Sequence, residues 1–272
     1  MRLELLLAEF VDYVGAWAPA FALVLARIAG LFVMTPLLGS ARVPRRVRVM
    51  LVLMLALGMA GAVRQPPAMP GDLATLTVAL AGEIVFGIAM GMVVALVFVA
   101  AQWAGEMIGQ QMGFSLAQAL DPQFGGTGSL IGDLYYMLCI VIFVSPLVEG
   151  PAALLRGVHA SFIALPLMSV GMNPAVLDLL VGVLSGAAVL AVQLAAPMLL
   201  TMLIVDLALG FIGKTMPQMN VMTAGLSLRA VVGMIVLILG VKITGDVVGS
   251  ALIEHVDGVE AYYTHPPAAL VN

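Results

Sequence analysis

Between Glu83 and Glu106 the chain runs 22 residues without a charge, and between Asp178 and Asp206 it runs 27. At a helical rise of about 1.5 Å per residue these runs reach about 33 and 40 Å, against about 30 Å for the hydrocarbon core of a bilayer. A segment in lipid has no water to satisfy its backbone, so it is helical or belongs to a closed barrel. Long continuous apolar runs lack the period-two alternation of barrel strands. Of 272 residues 62% are hydrophobic and 10% charged, far from the roughly 25% charged residues of a soluble domain. The fold class this predicts is all-α: a polytopic membrane-type protein of helical hairpins with kinked and broken helices.

The formal net charge of -4 offers no basic footprint for nucleic acid. A single cysteine, Cys139, supports no disulfide framework and reads as a small buried hydrophobe. Glu4, Glu9 and Asp12 stand where a cleaved signal peptide carries its positive flank, so the first helix is expected to be retained.

Six main apolar segments emerge, at approximately 14–36, 47–63, 73–104, 131–150, 176–212 and 227–250. Proline and glycine concentrate between them, in the Arg-rich turn 39–48, the turn 64–70, the Gly-rich stretch 125–128 and the Pro-punctuated stretch 151–174. The third and fifth segments exceed one crossing, and Pro197 is the expected site of a kink. Arg42, Arg45, Arg46 and Arg48 place the first turn on the cytoplasmic side. Counting six crossings from there puts both termini outside and the turn bearing Lys214 inside. After Leu252 the chain turns polar, and a short helix followed by a loose tail is expected.

Gly105, Gly109 and Gly113 recur at intervals of four with Gln110 and Gln111 between them. Small residues at that spacing let backbones approach closely, and each costs about 1 kcal/mol of helix stability relative to alanine. With the turn signal Asp121-Pro122 close behind, this central stretch reads as a broken helix and a loop.

Catalytic chemistry has little to stand on. His159, His255 and His265 are scattered, so no metal site, cofactor or enzymatic activity is predicted, and no phosphate-binding loop is present. Intramembrane charges are the better candidates, because each costs about 2.5–3.5 kcal/mol on insertion scales. Arg27 has 14 uncharged residues on each side; it either contacts an acid on a neighbouring helix or subunit, or snorkels from a helix end. Glu83, Glu106, Asp133 and Asp206 bracket apolar runs, which makes helix-end solvation their default. A proton-coupled transporter of a small solute remains the alternative function, although no two-half repeat is visible.

Several strings in order resemble one family, that of the flagellar export-gate protein FliR and its counterpart in virulence injectisomes. They are Leu25-Ala26-Arg27-Ile28-Ala29-Gly30, Thr35-Pro36-Leu37-Leu38-Gly39 and Val43-Pro44-Arg45-Arg46-Val47-Arg48, then Gly105 through Ser115 with Asp121-Pro122, then Asp206 to Gly210 and Lys214 to Val221. The resemblance spans roughly residues 10–250. It implies a non-enzymatic channel subunit of the type III export gate, in the bacterial inner membrane at the flagellar basal body. The implied partners are P-type and Q-type gate subunits, the cytoplasmic switch protein, membrane lipids, and unfolded export substrates in transit. The implied organisation is a P-like part over 1–175 that includes a plug loop, a Q-like hairpin over 176–252, and a polar tail over 253–272.

By the same resemblance Gln110, Gln111, Met112, Phe114, Ser115 and Leu116 match the family's channel plug, with Gly105, Gly109 and Gly113 as hinges. The side chains suit that role: methionine fills irregular gaps, and an apolar constriction closes a pore by dewetting. Plain helix-helix packing is the other reading of the same residues. Arg27, Pro44, Arg45, Arg46, Asp121, Pro122, Asp206, Lys214, Pro217 and Gln218 match positions expected to serve assembly and contact. Positive-inside anchoring accounts for the arginines equally well, and a solvated hairpin turn for the last four.

Overall fold

A computed structural model of the protein describes residues 2–36, 43–60, 73–114, 129–165, 167–168, 174–215 and 221–264. Seven helices and no strand occur among the described residues: α1 Arg2–Met34, α2 Arg45–Ala60, α3 Leu73–Gln111, α4 Leu130–Val144, α5 Gly150–Ala164, α6 Pro174–Thr215 and α7 Val221–Thr264. The chain is all-α, as its uncharged runs require. Four helical stretches among the described residues are long and apolar enough to cross a membrane: Trp17–Met34, Leu73–Gln111, Leu184–Thr215 and Ala224–Glu254. With 16 and 15 residues, α2 and α4 reach about 24 and 22 Å, short of a hydrocarbon core of about 30 Å.

Two expectations are corrected. The Pro-punctuated stretch contains the 15-residue helix α5, because Pro151 sits at its second position, where a missing N–H leaves no helical bond unmade. The stretch around Gly105 and Gly109 is unbroken helix, and α3 runs on to Gln111. Around Pro197, where the sequence predicts a kink, α6 remains helical. Proline cannot donate to the carbonyl of Gln193, and an apolar cavity of about 210 Å³ lined by both residues opens there. One turn on, the Thr201 hydroxyl donates to the Pro197 carbonyl at 2.8 Å.

The helices pack into two compact units, each discontinuous in the chain. The first comprises Met1–Ala95, Gly150–Gly182 and Glu254–Asn272. Its centre is the crossing of α1 with the first half of α3, where no side chain separates the backbones. A Cβ at Gly87 would run into the carbonyl oxygen of Arg27, and one at Gly30 into that of Ile84. At Gly91 it would lie 2.7 Å from the Leu31 carbonyl oxygen. Gly87 and Gly91 form a small-xxx-small pair on one face, the spacing that draws membrane helices together. Leu23, Val24, Ile28, Val94 and Val158 fill the surrounding core.

The second unit comprises Leu96–Glu149 and Val183–Ile253. The buried Phe98 meets Tyr136 and Phe143 edge-on, with ring centroids 5.7 and 5.5 Å away, the favourable geometry for aromatic quadrupoles. Ser129 caps α4, its hydroxyl accepting from the Gly132 N–H at 3.3 Å, and Asp133 complements the positive end of the helix dipole one turn in. At the other end the Ser145 hydroxyl donates to the Ile142 carbonyl at 2.6 Å. Cys139 is buried and carries no disulfide.

Candidate functional site

Among the described residues the largest fully buried side chain is an arginine. Arg27, midway along the apolar part of α1, is 1% exposed, and so is Glu83 of α3. The two form an ion pair with Arg27 Nε donating to Glu83 Oε2 at 2.6 Å. Arg27 thus meets an acid on a neighbouring helix, the first of the two readings its position allowed. Glu83 departs from the default of helix-end solvation. It lies eleven residues into α3, because apolar residues also precede it and the helix starts at Leu73.

The remaining guanidinium donors reach the end of α5. Arg27 Nη1 donates to the Ser161 carbonyl and hydroxyl oxygens, each at 3.2 Å, and both Nη atoms donate to the Leu165 carbonyl at 3.3–3.4 Å. The Ser161 hydroxyl in turn donates a hydrogen bond to the Val158 carbonyl at 2.7 Å. The second carboxylate oxygen, Glu83 Oε1, accepts the backbone N–H of Met168 at 3.1 Å. Phe86 and Phe162 bring ring centroids to 4.8 and 4.5 Å from the guanidinium carbon, within cation-π range. The carbonyl end of a helix carries partial negative charge, so a guanidinium is well matched to the last turn of α5. Charge, planar donors and aromatic faces are all used, which is what a buried arginine requires. Ser161→Ala removes one acceptor but leaves the carbonyls, so it is expected to cost about 1 kcal/mol and to lower the melting temperature in detergent by only a few degrees.

The second candidate region is the end of α3, inside the other unit. A Cβ on Gly105 would lie 2.6 Å from the Ile131 carbonyl oxygen and 2.7 Å from the Gly132 Cα, and one on Gly109 would lie 3.0 Å from Ser129 Oγ. Both glycines therefore seat α3 against the start of α4. Gly113 adopts φ 84°, the left-handed conformation with which helices commonly end. Gln110 is exposed and Gln111 half-buried, while Met112 is 1% exposed. Met112 rests on Gly233 of α7, where a Cβ would meet Met112 Cγ at 2.5 Å and Met202 Cε at 2.9 Å. Phe114 is half-buried; Ser115 and Leu116 lie outside the described residues.

Of the other residues singled out, Pro44 immediately precedes α2 and its carbonyl accepts the first helical bond, from the Arg48 N–H at 3.2 Å. Arg45 and Arg46 are exposed in the first turn. Asp206 lies within α6 and pairs with Arg229 of α7 at 2.6 Å, a contact that inspection of uncharged runs does not reveal. Lys214 is exposed in the last turn of α6. Asp121, Pro122, Pro217 and Gln218 lie outside the described residues. No group of three or more His, Cys, Asp or Glu side chains that could hold a metal occurs among the described residues.

Sequence comparison supplies the family. The profile of bacterial export proteins, family 1, matches residues 18–254. The chain is 33% identical over 223 residues to the flagellar biosynthetic protein FliR of Bacillus subtilis (strain 168), covering 81% of this chain and 85% of that protein. It is 27% identical over 218 residues to the protein of the same name in Escherichia coli (strain K12), covering 80% and 82%. It is 28% identical over 226 residues to Yop proteins translocation protein T of Yersinia pestis, covering 80% and 84%. The matches run through both helical regions built above, from the middle of α1 to the far part of α7. The chain is a member of the FliR family of bacterial export proteins.

Proposed function

We propose that this protein is a non-enzymatic structural subunit of the flagellar type III export gate, which joins P-type and Q-type subunits around a protein-conducting channel in the inner membrane. The observation that carries this reading is the family match over residues 18–254. Similarity to relatives named for flagellar biosynthesis and to one named for Yop protein translocation supports an export subunit of this kind, and the 33% identity to a flagellar relative favours the flagellar branch. The surface supports a life among partners: in Ala224–Glu254 only 17% of the most apolar window is buried, and Leu239, Ile238 and Ile243 are more than half exposed. Sister subunits cover such a face in an assembled gate, and lipid covers what they leave. The secondary-transporter alternative needs an uncommitted intramembrane acid, whereas Glu83 is bound on both oxygens.

In this reading the segment 110–116 contributes to the channel plug, with Met112 seated on Gly233 as its anchor, Phe114 supplying bulk, and Gly113 turning the chain between them. The exposed Lys214 turn faces the cytoplasmic switch protein. Deleting the gene is expected to abolish flagellar subunits in the culture medium, and the full-length chain to restore them; continued export from the deletion strain would refute the gate assignment. Met112→Ala with Phe114→Ala is expected to make growing cells leak ions and small dyes. Unchanged permeability in a correctly assembled complex removes the plug role and leaves the gate role standing.

A further inference from the structure

The longest uncharged run in α7, between Arg229 and Lys242, is 12 residues, or about 18 Å of helix against about 30 Å of hydrocarbon. A bilayer edge set at Arg229 leaves Lys242 and Asp246 inside the apolar layer, and an edge set at Lys242 leaves Arg229 and its partner Asp206 there. Charges inside that layer are costly unless another group satisfies them. The buried Arg27 has Glu83 for this purpose. Lys242 and Asp246 are both exposed, and neither side chain has an ion-pair partner among the described residues. They stand one turn apart with the lysine first, the weaker order for a pair within one helix.

Both charges fall on one line of exposed residues. Val231, Ile235, Ile238, Lys242 and Gly245 are spaced by four, three, four and three, the repeat of a helix-packing seam. The three apolar members are 53–64% exposed, a Cβ on Gly245 would meet nothing within 4 Å, and Asp246 borders the line. We propose that this seam receives one helix of a sister export subunit, which brings an acid to Lys242 and a base to Asp246. The inference rests on the gate reading and names the chemistry of one of its contacts. Lipid can cover Val231, Ile235 and Ile238 but offers the two charges nothing at that depth, whereas complementary charges on a neighbouring helix satisfy both. A single lysine in such a repeat also fixes register, because a partner shifted by one turn leaves it facing an apolar residue. A second copy of this chain fits less well: two copies related by an axis along the membrane normal bring Lys242 against Lys242.

The test uses the full-length chain carrying the photo-cross-linking substitution Ile238→p-benzoylphenylalanine, expressed with its normal partners in native membranes. After irradiation the purified particle is digested and the cross-linked peptide is identified by mass spectrometry. The expected adduct joins position 238 to an apolar helix of a P-type or Q-type subunit, with Asp or Glu within one turn of the attachment point. Adding Lys242→Glu is expected to reduce that adduct at least about tenfold, because like charges meeting in an apolar contact cost that much or more. Replacing the partner's acid by lysine in the same strain is expected to restore it, which a general folding defect would not permit. Adducts with lipid alone, or with a second copy of this chain, in particles that still contain sister subunits overturn the seam and leave the gate reading standing. So does a partner helix with no acid within one turn, an adduct indifferent to Lys242→Glu, or one that the charge swap does not restore. A wild-type chain that purifies without sister subunits overturns both.

Discussion

Arg27→Met is expected to destabilise the protein by about 3–5 kcal/mol, the usual result of removing one partner from a buried ion pair. The cost comes from what stays behind. Glu83 would keep its charge at 1% exposure with only the Met168 N–H for company, and Ser161 and Leu165 would lose donors on their carbonyls. Natural domains have about 5–15 kcal/mol of stability in total, so the variant is expected to accumulate in membranes far below the wild-type level. The double variant Arg27→Met with Glu83→Leu removes both charges together. Apolar replacement of a whole buried pair is often neutral or stabilising, so accumulation is expected to recover to near wild type. Quantitative immunoblots of membrane fractions, with melting temperatures in mild detergent, separate the two. If the double variant falls as far as the single one, the pair has a structural role that charge balance does not explain.

The second large effect is expected at Gly105. A Cβ there meets backbone, the Ile131 carbonyl oxygen and the Gly132 Cα, and backbone cannot rotate out of the way as a side-chain tip can. Gly105→Val is therefore expected to push α3 from α4 at a cost of about 1–3 kcal/mol or more from overpacking, well beyond the few tenths that valine recovers in helix propensity over glycine. The outer helices give the contrasting case. At Gly210 and Gly240 an added Cβ meets nothing within 4 Å, so alanine there is expected to stabilise the isolated chain by up to about 1 kcal/mol. Under the gate reading a sister helix approaches that open surface, so Gly240→Ala combines a higher melting temperature alone with weaker recovery in the complex. A clean gain in both would mean that no helix packs closely at Gly240.

The same two regions show how much of this protein is legible in its sequence. Uncharged runs locate the long helices α3 and α6, because a backbone in lipid has no alternative to helix. They misplace Glu83, since counting charge-free residues makes a boundary of every acid even when apolar sequence continues past it. Arg27 stands out as an isolated charge, but its partner is 56 residues away and no local pattern records that distance. The α5 carbonyls it holds are less visible still, because main-chain acceptors have no letter in the sequence. Glycine spacing is legible and its meaning is not. The 105–109–113 series reads as a flexible break, whereas Gly105 and Gly109 sit in continuous helix against α4 and only Gly113 has a positive φ. Proline misleads where it reads as punctuation, since Pro151 lies at the start of α5. The polar strings near Arg27, Arg45 and Lys214 carry the family, since their order is specific where apolar sequence is not.

Purification of the tagged full-length chain from native membranes in mild detergent, followed by mass measurement of the intact particle, bears most directly on whether its apolar exterior exists to be covered by sister subunits. The account predicts a single large particle in which the chain is accompanied by P-type and Q-type subunits and is lost to aggregation when they are absent. A stable, monodisperse particle containing this chain alone would contradict it.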